Sequence, residues 1–176
     1  MPNIFFISDT HFGHQGMCQF LRNDGTKVRP FMCSNQCDDH MVEMWNKTVR
    51  PNDKIYHLGD VSIKRQYIKV LEKLNGDKVL IRGNHDIFKL NDYTPYFRDI
   101  RATHKLDKFL LSHYPVHTDC LEGHLKINVH GHLHYKRVLK SPDAIHPSYV
   151  NVSVECINYT PVSFEEVVQM YRKQIS

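Results

Sequence analysis

Lys54-Ile55-Tyr56-His57-Leu58-Gly59-Asp60 decides how this chain folds. Ile55 and Leu58 are apolar and Tyr56 is a good strand former. The turn cluster Pro51-Asn52-Asp53 marks where the strand begins. Gly59 carries no side chain, so the backbone there can bend tightly and approach another group closely. Asp60 then falls just past the carboxyl end of a buried strand, the place where open α/β sheets put their ligands.

Working outward, Asn3 to Ser8 is a continuous apolar run of the kind covered on both faces of a sheet, and it ends in Asp9-Thr10-His11-Phe12-Gly13-His14. The segment 15–34 has little periodicity and reads as a long loop with one helical turn near Met17 to Leu21. Met41, Val42, Trp45 and Val49 share one face of a helix over 37–49. A second helix is expected over 63–74, stopped by Asn75-Gly76. Lys78 to Ile81 is the third strand, followed by Arg82-Gly83-Asn84-His85-Asp86. Strand, helix, strand, helix, strand is the pattern of a parallel layered sheet. Beyond it, 100–106 and 109–112 read as a hairpin about Asp107-Lys108, with further strands at 127–130 and 149–154. Strands without long helices between them imply a second, mixed or antiparallel sheet. Ser163-Phe164-Glu165-Glu166 is a capping box opening a last helix. The expected architecture is therefore an α/β two-sheet sandwich flanked by helices, formed as one domain over 1–176.

Composition narrows the function without naming it. The chain has 176 residues, 41% hydrophobic and 24% charged, as in an ordinary globular protein. A formal charge of +4 permits a phosphate-bearing substrate but does not demand nucleic acid. Cys18, Cys33, Cys37, Cys120 and Cys156 form no C-x-x-C pair, and the N-terminus starts a strand almost at once. Free thiols in a reducing, cytoplasmic setting are expected. No apolar run is long enough to span a bilayer. The 13 histidines are many for this length, which points to metal or acid-base chemistry.

Five short polar motifs each follow an expected strand: Asp9-Thr10-His11, Gly59-Asp60, Gly83-Asn84-His85-Asp86, Ser112-His113 and Gly131-His132-Leu133-His134. In this order they resemble the calcineurin-like metallophosphoesterases, whose series is D-x-H, G-D, G-N-H-D, H and G-H-x-H. The resemblance spreads over most of the chain. It implies two divalent cations. One would be held by Asp9, His11, Asp60 and His134, the other by Asp60, Asn84, His113 and His132, with Asp60 shared. Mixed carboxylate, imidazole and amide donors suit manganese first, with zinc, iron or nickel as alternatives. In D-x-H, alternate residues of an extended segment would point the same way. Two dications against two carboxylates leave the site net positive, as phosphate binding requires. A hydroxide bridging the cations would attack phosphorus. His85 looks like the imidazole that protonates the leaving oxygen, with Asp86 orienting it.

Other readings stand beside these. His113 alone, behind Phe109-Leu110-Leu111, would pass for a core histidine, and its place in the series makes it a ligand. His57 and His130 lie inside strands and read as core or supporting residues. His14 is a candidate for substrate or structural work. Lys64 and Arg29, the latter with Arg22 and Lys27, are candidates for meeting a phosphate. The arginine that family members often carry after G-D is missing here. The basic stripe Arg65, Lys69 and Lys73 reads as a solvated helix face.

The resemblance implies a phosphate-ester hydrolase. Phosphodiesters are favoured, because the chain lacks room for a large cap. A nucleotide or small diester is the expected substrate, and nucleic acid and a homodimer are left open. Monoester or phosphoprotein hydrolysis is the near alternative, and a catalytically silent, metal-stabilised binding module the rival of another class.

Overall fold

Short apolar runs become the strands that the patterning leads one to expect. The structure, a computed structural model, describes residues 2–175. β1 (Ile4–Ile7), β2 (Lys54–His57) and β3 (Asp77–Ile81) lie side by side in parallel, with Phe5 opposite Ile55 and Tyr56 opposite Val79. β4 (Asp99–Arg101) extends this sheet in parallel beyond β3. The second sheet holds β5 (Thr103–Leu106), β6 (Phe109–Ser112), β7 (Ile127–His130) and, after a small exposed hairpin of β8 (Leu139–Ser141) and β9 (Ala144–Ile145), β10 (Tyr149–Asn151). It is mixed: β5 runs antiparallel to β6, while β6, β7 and β10 are parallel. β11 (Val162–Ser163) closes the chain's return by pairing antiparallel with β1.

The stretch 100–106 is not one strand of a hairpin. The chain leaves the first sheet after Arg101 and enters the second at Thr103. Only 103–106 pairs with 109–112 across Asp107-Lys108, where Asp107 takes a left-handed φ of 52°.

The sheets face each other across one core. Phe6, Ile7, Leu58, Leu80 and Ile81 meet Phe109, Leu111, Ile127, Val129 and Val150, all buried. Helix α1 (Ser34–Thr48) presents Met41 and Trp45 to this core, starting three residues before the expected 37. The expected helix at 63–74 is a 3-10 helix, Arg65–Lys73, that buries Ile68 and Leu71, and Lys69 and Lys73 of its basic stripe are exposed. After the short α2 (Leu90–Tyr93), the final helix α3 (Phe164–Ile175) opens on the expected capping box. Glu166 N donates to Ser163 Oγ at 3.2 Å and Ser163 N donates to Glu166 Oε2 at 2.7 Å. Among the described residues no helix is long and apolar enough to cross a membrane.

Candidate metal centre

β1, β2, β3, β6 and β7 all end at the same edge of the sandwich, and each hands over to one of the five polar motifs. The loops are joined by main-chain hydrogen bonds that carry the strand ladders past the strands. Asp9 N donates to Gly59 O at 2.9 Å, His11 N to Asp60 O at 3.0 Å, Phe12 N to Val61 O at 2.9 Å and Gly131 N to His113 O at 2.9 Å. A methyl group on Gly83 would overlap the Asp60 side chain, and one on Gly131 would overlap Ser8 Oγ and Asp9 Oδ2. Those two glycines are the room in which the carboxylates sit.

The motifs are not extended, as the D-x-H reading supposed. Asp9, His11, Asp60, His132 and His134 have φ of 59°, 47°, 59°, 65° and 51°. Non-glycine residues in this region are strained by about 1–2 kcal/mol each. The left-handed turns aim the side chains inward. They also send His132 and His134 to different places.

Two groups of donors result. Asp9, His11 and His134 form one, and Asp60, His113 and His132 the other, with the donor atoms of each group within 4.8 Å of one another. The His11 and His134 rings lie 5.3 Å apart in a stack. Asp60 Oδ2 stands between the groups, 3.5 Å from His11 Nε2 and 3.4 Å from His113 Nε2. Asn84 Oδ1 lies 2.9 Å from His113 Nε2 and 3.1 Å from His132 Nδ1, so the amide joins the second group.

Cations fit these donors. Asp9 Oδ1 and both ring nitrogens of His11 are buried without a hydrogen-bond partner. Native proteins rarely leave such atoms unpaired unless something else meets them. Burial raises the Asp9 carboxyl and drives the His11 imidazole well below its usual range, so His11 is neutral and its lone pair is free to ligate. Burial also acts to raise Asp60, but His113 and His11 outweigh it and hold that carboxyl at about 2.

Asp86 does something other than orient His85. Its side chain is buried, and its two oxygens accept from Asp60 N at 2.8 Å, Val61 N at 3.0 Å and Gly83 N at 2.8 Å. It therefore ties the Gly59-Asp60 loop to the Gly83-Asn84 loop. His85 is exposed, with its ring edge-on to His11 at 5.4 Å and its main-chain N donating to Asp60 Oδ1 at 2.8 Å.

The expected substrate contacts fare differently. His14 lines the cleft over the centre, its ring between His11 at 5.7 Å and Phe20 at 5.9 Å. Lys64 is exposed and close enough to disfavour protonation of His14, but it does not line the cleft. Arg29 is no rim residue, since only 1% of it is exposed. Its Nε donates to Glu155 Oε1 at 2.8 Å, Nη1 to Thr10 O at 2.8 Å and Nη2 to Asp9 O at 2.6 Å. His57 and His130 are buried as expected, and His57 Nε2 lies 3.0 Å from Thr10 Oγ1.

Sequence reasoning passes over several residues of the site. Ser153 Oγ donates to Asp9 Oδ2 at 2.8 Å, and Lys136 lines the cleft. Glu155 has a fully buried side chain, with Oε1 and Oε2 each 3.3 Å from His134 Nδ1. Burial would raise its carboxyl, yet Arg29 and His134 hold it at about 2. Its one visible signal is an acid standing at a polar position of the alternating stretch Val150 to Ile157, after Asn151 and Ser153. The cleft itself is about 450 Å³. Imidazoles of His11, His85, His132 and His134 line it on the metal side, and Met17, Phe20, Val28 and Tyr135 also contribute to its wall.

Parallel strands delivering two carboxylate-imidazole groups to one edge define a metal-dependent phosphoesterase, and the chain belongs to the calcineurin-like phosphoesterase family, whose model matches residues 2–155. Among its relatives is an uncharacterized protein of Methanocaldococcus jannaschii, MJ1445, 35% identical over an alignment of 185 positions that covers 98% of this chain and 93% of the other. The Gene 66 protein of Mycobacterium phage L5 is 26% identical over 88% of this chain and 87% of its own. A crystal structure of a protein of unknown function from Aquifex aeolicus, AQ665, superimposes with a TM-score of 0.71 at 25% identity, covering 97% of this chain and all of the other.

Proposed function

We propose that this protein hydrolyses phosphodiester bonds with two divalent cations, manganese by preference, that share Asp60. The observation that carries the reading is the position of Asp60 Oδ2, 3.5 Å from His11 Nε2 of one donor group and 3.4 Å from His113 Nε2 of the other. Asp9, His11 and His134 would complete one site, and Asn84, His113 and His132 the other. Bound there, the cations would neutralise phosphate charge and make water a better nucleophile. The protein's own groups do the rest. His113 Nδ1 lies 2.8 Å from Leu58 O, which leaves its Nε2 turned to the centre. His85, exposed at the cleft, holds a proton for the departing oxygen. Lys136 and His14 supply polar contacts for the phosphate, and the carbon-lined side by Met17, Phe20 and Tyr135 receives the second ester substituent. That second substituent, absent from a monoester, is what favours diesters. A small diester, one built on a nucleotide included, is the substrate this reading favours.

The test compares bis-p-nitrophenyl phosphate with p-nitrophenyl phosphate, with manganese added. The diester should turn over faster. Faster monoester turnover would favour a phosphomonoesterase. No turnover of either, with two ions demonstrably bound, would point to a silent binding module.

A further inference from the structure

One charged pair lies behind one donor group, and among the described residues it has no counterpart behind the other. Arg29 and Glu155 are buried together, with side-chain exposures of 1% and 0%. The guanidinium holds the carbonyls of Asp9 and Thr10 with two nitrogens and Glu155 with the third. Glu155 in turn faces Nδ1 of His134, 3.3 Å from each oxygen. A carboxylate can only accept, so the ring must donate through Nδ1–H, and the lone pair of Nε2 is left for a cation. Among the described residues, no carboxylate besides the shared Asp60 pairs with an imidazole of the second group. Behind His113 stands the neutral carbonyl of Leu58, and His132 Nδ1 faces Asn84 Oδ1, itself a donor of the same group.

We propose that Glu155, clamped by Arg29, is a positioning residue for His134, and that it makes the Asp9–His11–His134 group the tighter of two unequal cation sites. This rests on the two-cation reading above. Arg29 cancels most of the charge that Glu155 brings, so the gain comes from a fixed ring tautomer, a fixed ring plane and a more basic Nε2, not from bulk attraction. Outer partners of this kind change metal affinity by about 10–100-fold.

Stepwise titration of the metal-free protein with manganese, followed calorimetrically, reads the proposal directly. In the wild type, two steps of different affinity are expected. Glu155→Gln should weaken the tight step by about 10–100-fold and leave the weak one in place. Asn84→Ala should do the reverse. Two bound ions with unchanged affinities in Glu155→Gln would overturn the proposal alone, as would loss of the tight step in Asn84→Ala. Failure of the wild type to take up a second ion would instead overturn the two-cation reading. Should Glu155→Gln not fold, side-chain nitrogen NMR of the zinc-loaded wild type decides. His134 protonated at Nδ1 and ligated through Nε2 supports the positioning role, and His134 protonated at Nε2 overturns it.

Discussion

Replacing Asp86 by Asn separates two roles for the acid of the G-N-H-D motif. In the structure its carboxylate accepts from the main-chain N–H of Asp60, Val61 and Gly83, with Oδ2 taking two of them and Oδ1 the third. An asparagine placed with its oxygen at Oδ2 keeps two bonds but loses their charge assistance, about 1 kcal/mol each. Its amide nitrogen must then face the Val61 N–H, donor against donor in a buried site, at about 1–3 kcal/mol. The sum is about 3–5 kcal/mol, a large share of the roughly 5–15 kcal/mol that holds a domain together. The melting temperature should fall by about 10 °C for a chain of this length. Urea denaturation in the presence of a chelator reads the effect without interference from metal binding. If Asp86 acted on His85 instead, the variant would unfold at the wild-type urea midpoint and lose only turnover. That pair of results would refute the role of Asp86 as the tie between the two loops.

Two further substitutions probe the frame of the site. Gly131→Ala puts a methyl against Ser8 Oγ and Asp9 Oδ2, so it should cost about 1–3 kcal/mol of stability and weaken manganese binding at the Asp9 group. Wild-type affinity in a calorimetric titration would show that Asp9 does not need that space. Asp38, whose Oδ2 accepts from Gly13 N at 2.8 Å, is pushed by burial from 3.8 to about 6. The folded chain therefore binds the proton more tightly than the unfolded one. The contribution of Asp38 to stability falls as pH rises from about 4 to about 6, by about 2–3 kcal/mol in all, and is not recovered above. Asp38→Asn still offers an oxygen to Gly13, so its stability advantage over the wild type should widen by about that amount between pH 4 and pH 7. Parallel pH profiles for the two proteins would contradict this.

What can be read from the chain alone is whatever is local in sequence. Each candidate ligand sits within a few residues of a strand end, and apolar runs such as Ile4–Ile7 and Val79–Ile81 announce those ends. The parallel first sheet follows from helix-length spacers between strands. The change of sheet at Ala102 does not, because 100–106 has no turn residue and pairing partners are chosen by the tertiary fold. Arg29 looks like a rim residue because a loop arginine usually is one. Its partner, Glu155, is 126 positions away in sequence. Asp86 misleads for a related reason. Its neighbour His85 is in view, while the amides of Asp60 and Val61, which it serves, lie a strand and a helix earlier. The left-handed turns at Asp9 and His132 leave no mark in the sequence because neither residue is glycine.

The stitching of Asp9 to Gly59, His11 to Asp60 and Gly131 to His113 has a consequence for how the protein acquires its ions. The disorder that these loops would otherwise carry is surrendered when the polypeptide collapses, not when a cation arrives. Loading would then need little rearrangement, and exchange of one transition metal for another would be governed by coordination chemistry and by supply in the surroundings. The chain would keep a seat whose shape is fixed before any cation reaches it.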